Sequence, residues 1–197
     1  PVSLSEEELS VYEVIRRQAK SELESSSTVN VNTLAMITKL REAACSASLV
    51  EKGIDIPSSK LSLMVDKLQQ IVEQGNRVLV FSQFTSFLEM ARKEMENAGI
   101  TDYFYLNGST PVCERQKMVA SFQAGEKRVF LISLKAGGLG LNLTGANYVF
   151  HLDPWWNPAI EQQATDRAYR IGQKQKVSVY HLISEHTIEE KILRLHQ

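Results

Sequence analysis

From Ser59 onward the chain alternates between short, unbroken apolar runs and longer stretches in which apolar residues recur at helical spacing, and this restricts the fold more than any other feature. The runs are Arg77-Val78-Leu79-Val80-Phe81, Tyr103 to Leu106, Val129 to Ser133, Tyr148 to Leu152 and Val177 to Ile183. They are too short for buried helices and suit strands covered on both faces. Between them, Leu61, Met64, Val65, Leu68, Ile71 and Val72 mark a helix that Gly75 stops, and Thr85 to Ala98 a second that ends at Gly99. Thr110-Pro111 opens a third, with Thr110 as its cap, that reaches Phe122, and a fourth is expected from about Pro158 to Tyr169. Strands joined in this way imply an α/β fold, a parallel β-sheet with helices on both faces. In such sheets working residues gather in loops at the carboxyl ends of the strands. The loops to inspect therefore follow Phe81, Leu106, Ser133 and Asp153.

The first part, up to about Ile56, is helical in pattern. Ser5-Glu6-Glu7-Glu8 reads as a capping box, followed by an apolar stripe of Leu9, Tyr12 and Ile15. Ser25 to Thr28 breaks this helix, a second is expected over Leu34 to Leu49, and Gly53 to Pro57 reads as a hinge. Thr187-Ile188-Glu189-Glu190 is a further capping box that starts a short closing helix. We expect a helical appendage over 1–56, the main lobe over 57–186 and the start of a closing helix over 187–197.

A net charge of −1 argues against nucleic-acid binding by bulk electrostatics but leaves room for a local basic strip. Cys45 and Cys113 are far apart and lack metal-ligand spacing, which points to buried reduced thiols rather than a disulfide or a metal site. No apolar stretch approaches the length of a membrane span. The chain opens on Pro1 and ends at Leu195-His196-Gln197, and we expect a portion of a longer intracellular protein.

Three segments could carry chemistry. Ser133-Leu134-Lys135-Ala136-Gly137-Gly138-Leu139-Gly140-Leu141-Asn142-Leu143 holds three glycines that let backbone amides approach an anion, or that form a tight turn and nothing more. A dinucleotide-binding crossover is disfavoured, because too few residues separate Gly140 from the strand at Tyr148. Arg167 and Arg170, in Gln163-Ala164-Thr165-Asp166-Arg167-Ala168-Tyr169-Arg170-Ile171-Gly172-Gln173, are three apart and share one helix face. Two guanidinium groups aimed together suit phosphate oxygens, whereas an arbitrary Arg-x-x-Arg is a solvated face paired with Asp166 and Glu161. Asp153-Pro154-Trp155-Trp156-Asn157-Pro158 is a proline-bracketed turn in which at least one of two adjacent indoles is expected to pack on a ligand, a groove or a second domain.

Taken together and in this order, these segments resemble the second motor lobe of the Swi/Snf family within helicase superfamily two, over roughly Ser59 to the end. Arg77 to Phe84 resembles the family's fourth motif and Leu106-Asn107-Gly108-Ser109-Thr110 the loop after it. Ser133 to Leu143 resembles motif five, and Gln163 to Gln173 motif six. The resemblance implies a RecA-like lobe of the P-loop NTPase type. It implies that Arg167 and Arg170 act as arginine fingers on ATP held by a first lobe, with Gly138, Gly140 and Gln163 also on the nucleotide side. On the DNA side it implies Gly108, Ser109, Thr110, Lys135 and Trp156. The segment around Leu40 to Cys45 resembles the family's insertion, and Ile188 to Leu195 its closing brace helix. The chain departs from the family at Ser46-Ala47-Ser48, where a histidine is usual shortly after the cysteine, and at Tyr169, where histidine is frequent.

No G-K-[ST] loop and no D-E-x-x box occurs in the sequence. The resemblance therefore implies a half-motor that is inactive alone, with ATP and Mg2+ held mainly by an upstream first lobe, double-stranded DNA as its track and a DNA-bound protein as a possible target. Two alternatives stand beside it, a non-catalytic interaction module that kept the fold and a strand-separating helicase. The compact lobe is closer to the bacterial branch, with a place at the nucleoid in the cytoplasm, or in the nucleus for a eukaryotic source.

Overall fold

The computed structural model describes residues 1–25, 31–133, 143–155 and 177–195. Among these, α1 (Glu6–Ser25) and α2 (Val31–Cys45) form a hairpin, followed by a short 3-10 turn (Ala47–Leu49). Then come α3 (Ser59–Glu73), β1 (Val78–Ser82), α4 (Thr85–Asn97), β2 (Tyr103–Leu106), α5 (Val112–Gln123), β3 (Val129–Ser133), β4 (Tyr148–His151), β5 (Ser178–His181) and α6 (Ile188–Leu195).

The strands form one five-stranded sheet in the order β2-β3-β1-β4-β5, and every pair is parallel. The register starts in line: Val78 faces both Val129 and Tyr148, Tyr103 faces Val129, and Tyr148 faces Ser178. All five carboxyl ends therefore reach the same edge, where the described loops after β1, β2 and β4 begin. β1 and β3 are buried along their whole length, which is why they read as unbroken apolar runs.

Alternate side chains of these strands serve two cores. Val78, Val80, Val129 and Leu131 point to the face covered by α3 and α4, where Leu61, Met64, Leu68, Phe87, Leu88 and Met95 pack. Leu79, Phe81, Phe130 and Ile132 point to the other face, where Phe122 of α5 lies edge-on to Phe130, with ring centroids 5.4 Å apart. The sheet is thus sandwiched, as the sequence implies. Gly75 and Gly99 end α3 and α4 at φ of 82° and 87°, a backbone region that glycine enters without strain.

Tyr12, Ile15, Ala43 and Ala44 form a small core inside the α1–α2 hairpin. The capping box at Ser5 is present in both directions, with the Ser5 amide donating to Glu8 Oε1 (3.0 Å) and the Glu8 amide to Ser5 Oγ (3.2 Å). Glu8 is nevertheless buried, because its carboxylate also accepts from the Ser59 amide (3.2 Å) and hydroxyl, fixing the start of α1 to the start of α3. The N-terminal strand-like segment joins the sheet region as well: the Val2 amide donates to Ile183 O (2.7 Å) and the Glu185 amide to Val2 O (2.9 Å).

Three details differ from the expectations. α2 ends at Cys45 rather than Leu49, because the Ser46 hydroxyl accepts from the Ser48 amide (3.3 Å) and starts the 3-10 turn. Thr110 does not cap α5; Pro111 holds that position without a side-chain bond, and Thr110 Oγ1 accepts from the Asn107 amide (3.1 Å) instead. Cys113 is exposed, since the first turn of α5 faces solvent together with Val112, whereas Cys45 is buried as expected. The helix expected from about Pro158 to Tyr169 lies outside the described residues. Among the described residues no helix is long and apolar enough to cross a membrane.

Candidate functional site

The loops after β1 and β2 are described in full and the one after β4 as far as Trp155, and each is held by side chains from elsewhere on the sheet edge. After β2 the chain turns at Asn107 to Thr110. The Thr110 amide donates to Asn107 O (3.1 Å), the Ser109 amide to Asn107 Oδ1 (2.9 Å) and Arg115 Nε to Thr110 O (2.8 Å). Arg115 Nη2 also reaches Gly108 O (3.3 Å). Three backbone amides, those of Asn107, Ser109 and Thr110, are thus used inside the turn, while Gly108 and Ser109 stand exposed on its outer side and a guanidinium lies behind it. A Cβ on Gly108 would meet open space, so this glycine leaves a clear approach for a ligand.

The loops after β1 and β4 are neighbours because those strands pair, and Asp153 joins them. Its Oδ1 accepts from Ser82 Oγ (2.6 Å) and its Oδ2 from the Gln83 amide (3.2 Å). Gln83 Nε2 donates to Pro154 O (2.7 Å), and Arg41 Nη2 of α2 approaches the same carbonyl (3.4 Å). Trp155, which follows, is half-buried and packs against the α5-side core with Leu79, Phe81 and Val149. One of the paired tryptophans therefore plugs the lobe, which leaves Trp156 as the candidate for an outside contact.

Beneath this turn lies a group of buried ionisable side chains. Lys60 Nζ donates to Leu152 O (2.5 Å) and to Glu189 (2.6 and 2.7 Å to its two oxygens), and stands 3.8 Å from Cys45 Sγ. Lys60, Cys45, Asp153 and Glu189 are all almost fully shielded from solvent. Burial pushes the Glu189 and Asp153 carboxyls above their ordinary values, against the pull of the Lys60 ammonium. Burial also drives the Cys45 thiol well up, so it stays protonated and unreactive at neutral pH. For Lys60, burial alone favours the neutral amine, but the carboxylates of Glu189 and Asp153 help hold it above its ordinary value and charged.

Of the predicted site residues, Gly108, Ser109 and Thr110 lie together on the carboxyl edge. Lys135, Gly138 and Gly140, and likewise Trp156, Gln163, Arg167 and Arg170, lie outside the described residues. Arg115, Arg41 and Lys60 were not singled out from sequence, and Asp153 and Glu189 entered only as parts of a turn and a capping box, not as site residues. A signal existed for Lys60: it falls in register with Met64, Leu68 and Ile71 on the apolar face of α3, where a lysine needs a partner.

The chain matches the helicase conserved C-terminal domain family over residues 60–172. It is 38% identical over 200 residues to the uncharacterized ATP-dependent helicase MG018 of Mycoplasma genitalium, covering 98% of this chain and 19% of that protein. It is 46% identical over 138 residues to the chromatin-remodeling ATPase INO80 of Homo sapiens, covering 70% of this chain and 9% of that protein. The chain thus spans a fifth or less of the length of these curated relatives. Among solved structures, the Sulfolobus solfataricus SWI2/SNF2 ATPase core in complex with double-stranded DNA superposes with a TM-score of 0.85 at 30% identity, covering 99% of this chain and 42% of that one. The separate C-terminal domain of a Sulfolobus solfataricus SWI2/SNF2 ATPase gives 0.82 at 28% identity, covering 98% and 81%. The all-parallel sheet, the loops gathered on one edge and these likenesses agree, and the chain belongs to the helicase conserved C-terminal domain family as a C-terminal lobe of the Swi/Snf type in helicase superfamily two.

Proposed function

We propose that this chain is the second motor lobe of an ATP-dependent translocase that moves on double-stranded DNA. The observation that carries the reading is the sheet edge itself. The Asn107–Thr110 turn and the Asp153–Trp155 turn open on one side of a fold that superposes on an ATPase core in complex with double-stranded DNA. In this reading the exposed Ser109 hydroxyl and the Gly108 backbone meet phosphates of one strand, Arg115 adds a fixed positive charge behind them, and Lys135 and Trp156 meet the duplex from the neighbouring loops. Thr110 contributes by shaping the turn, since its hydroxyl is engaged with Asn107.

ATP is the substrate. The sequence contains no G-K-[ST] loop. Gly138, Gly140, Gln163, Arg167 and Arg170 are assigned to ATP from their places in the family's motifs. Arg167 and Arg170 stabilise charge on the transferred phosphoryl group from across a cleft, and a first lobe holds the nucleotide with Mg2+. The chain by itself then binds DNA weakly and does not hydrolyse ATP. Residues 1–56 act as a protrusion on the lobe and 187–197 begin a closing helix, with a DNA-bound protein as the remodelling target.

The test is Arg170→Ala in the longer protein that carries the first lobe. Loss of duplex-stimulated ATP turnover, with an unchanged unfolding midpoint, supports the finger assignment; full turnover in that variant rejects it.

A further inference from the structure

The buried Lys60–Glu189 pair has no role in the reading above, yet it stands where four separate elements meet the Asp153–Trp155 turn. Lys60 comes from the first turn of α3, Glu189 from the first turn of α6, Cys45 from the end of α2, and Leu152 O from the end of β4. Glu189 Oε1 also accepts from the Ser184 amide (2.9 Å), and Ser184 Oγ donates to Ala44 O (2.7 Å). Ser58 Oγ donates to Cys45 O (2.8 Å), and the Tyr12 hydroxyl accepts from the Ile188 amide (2.8 Å). The appendage and the closing helix are therefore hydrogen-bonded to each other and, through one ammonium group, to the backbone of the turn.

A fully buried ion pair is a poor source of stability, because desolvating both charges offsets their attraction, and apolar side chains of similar volume serve packing as well. Its effect here is geometric. Leu152 is the last residue whose backbone amide bonds to the sheet, donating to Phe81 O (2.9 Å), and its side chain sits in the α3/α4-side core. Three residues later Trp155 packs in the opposite core. Between those points the chain crosses the sheet edge, and the Lys60 ammonium holds the carbonyl at which the crossing begins.

We propose that Lys60 and Glu189 are positioning residues for this crossing: the pair fixes the Leu152 carbonyl, so that the path from Asp153 to Trp155 follows the placement of α6. A displacement of the closing helix is then passed to the turn that leads on to Trp156. What the turn does rests on the function proposed above; that the pair sets its path does not.

The chain's two tryptophans are Trp155 and Trp156, so its intrinsic emission reports on this turn alone. In the 197-residue chain, Lys60→Met combined with Glu189→Gln removes both charges and the donor to Leu152 O while leaving an oxygen for the Ser184 amide. The expected result is a red-shifted emission and a rise of about twofold in acrylamide quenching of folded protein, as the turn opens locally. Met95→Ala, in the α4 core, serves as a comparison that loses stability without this change. If the double variant does not fold, Glu189→Asp, which keeps both charges and shortens the arm by one methylene, is expected to raise quenching in the same sense. Wild-type emission and quenching in the folded variant, or an equal change in Met95→Ala, overturns the proposal. Failure of the longer protein to hydrolyse ATP on duplex DNA removes the motor reading of the turn, while the emission result still decides whether the pair positions it.

Discussion

Replacing Asp153 separates two effects that the structure places on one carboxylate. In Asp153→Ala the Ser82 hydroxyl and the Gln83 amide lose their acceptor at the junction of β1 and β4. The hydroxyl can turn toward Phe84 O, 3.4 Å away, which keeps its cost low; the Gln83 amide has no such alternative in the turn. With the partly buried Gln83 amide left unmet at roughly 1–3 kcal/mol and a smaller cost at the hydroxyl, the two losses amount to about 3 kcal/mol at most. Asp153→Asn keeps one oxygen for the Gln83 amide and offers an amide group to Ser82 Oγ. It also removes a charge whose burial already raises its pKa. We expect it to cost about 1 kcal/mol or less. The difference of about 2 kcal/mol corresponds to roughly thirtyfold in the folding equilibrium, well within the reach of urea unfolding followed by far-ultraviolet circular dichroism. If Asp153→Ala lies within about 0.5 kcal/mol of wild type, or if Asn costs as much as Ala, the carboxylate does not tie the two loops together as described.

Alkaline pH is expected to destabilise the chain through Cys45, among other groups. The folded thiol lies well above 9.0, so the unfolded chain ionises first and stability falls as pH rises from about 8 to 10. Tyr12 and Lys60, also raised in the folded state, act in the same direction at higher pH. Cys45→Ala should flatten the first part of that fall in urea midpoints, and parallel profiles for the two proteins would contradict the thiol's part in it. Gly145→Ala would place a Cβ 2.6 Å from Arg77 Nη2 and 2.8 Å from Gln123 Oε1. Both side chains are engaged, Gln123 with the Gly145 amide (2.7 Å) and Arg77 with Phe122 O, so a loss of about 1–3 kcal/mol is expected and a neutral result would show that they yield freely. Arg115→Ala should change stability by no more than about 1 kcal/mol yet weaken duplex binding by the longer protein about threefold to tenfold, measured by fluorescence anisotropy. Unchanged affinity would remove Arg115 from the interface.

The sheet was legible in the sequence because its strands are buried on both faces, so Val78 to Phe81 and Val129 to Ser133 needed no polar alternation to be recognised. The turn at Asn107 to Thr110 was found but misaligned at its end. Thr110-Pro111 carries a helix-cap pattern, and only the structure shows its hydroxyl bound back to Asn107. The same limit applies to α2, where a local serine bond at Ser46 overrides an apolar pattern that continues to Leu49. Arg115 and Lys60, and Glu189 as a site residue, escaped notice for a different reason. Their partners lie at Gly108 and Thr110, at Leu152 and at Ser184, contacts that neither periodicity nor motif spacing encodes. The assignment of Arg167 and Arg170 to phosphate comes from motif order alone, since both lie outside the described residues.

The measurement that bears most directly on the central claim is ATP hydrolysis by the longer protein, with and without duplex DNA and with strand separation followed in parallel. Strong stimulation by duplex without release of single strands is the expected result. Hydrolysis indifferent to duplex, or none in either condition, would contradict the motor reading and favour an interaction module, and stimulated hydrolysis with strand release would make the protein a helicase in the unwinding sense.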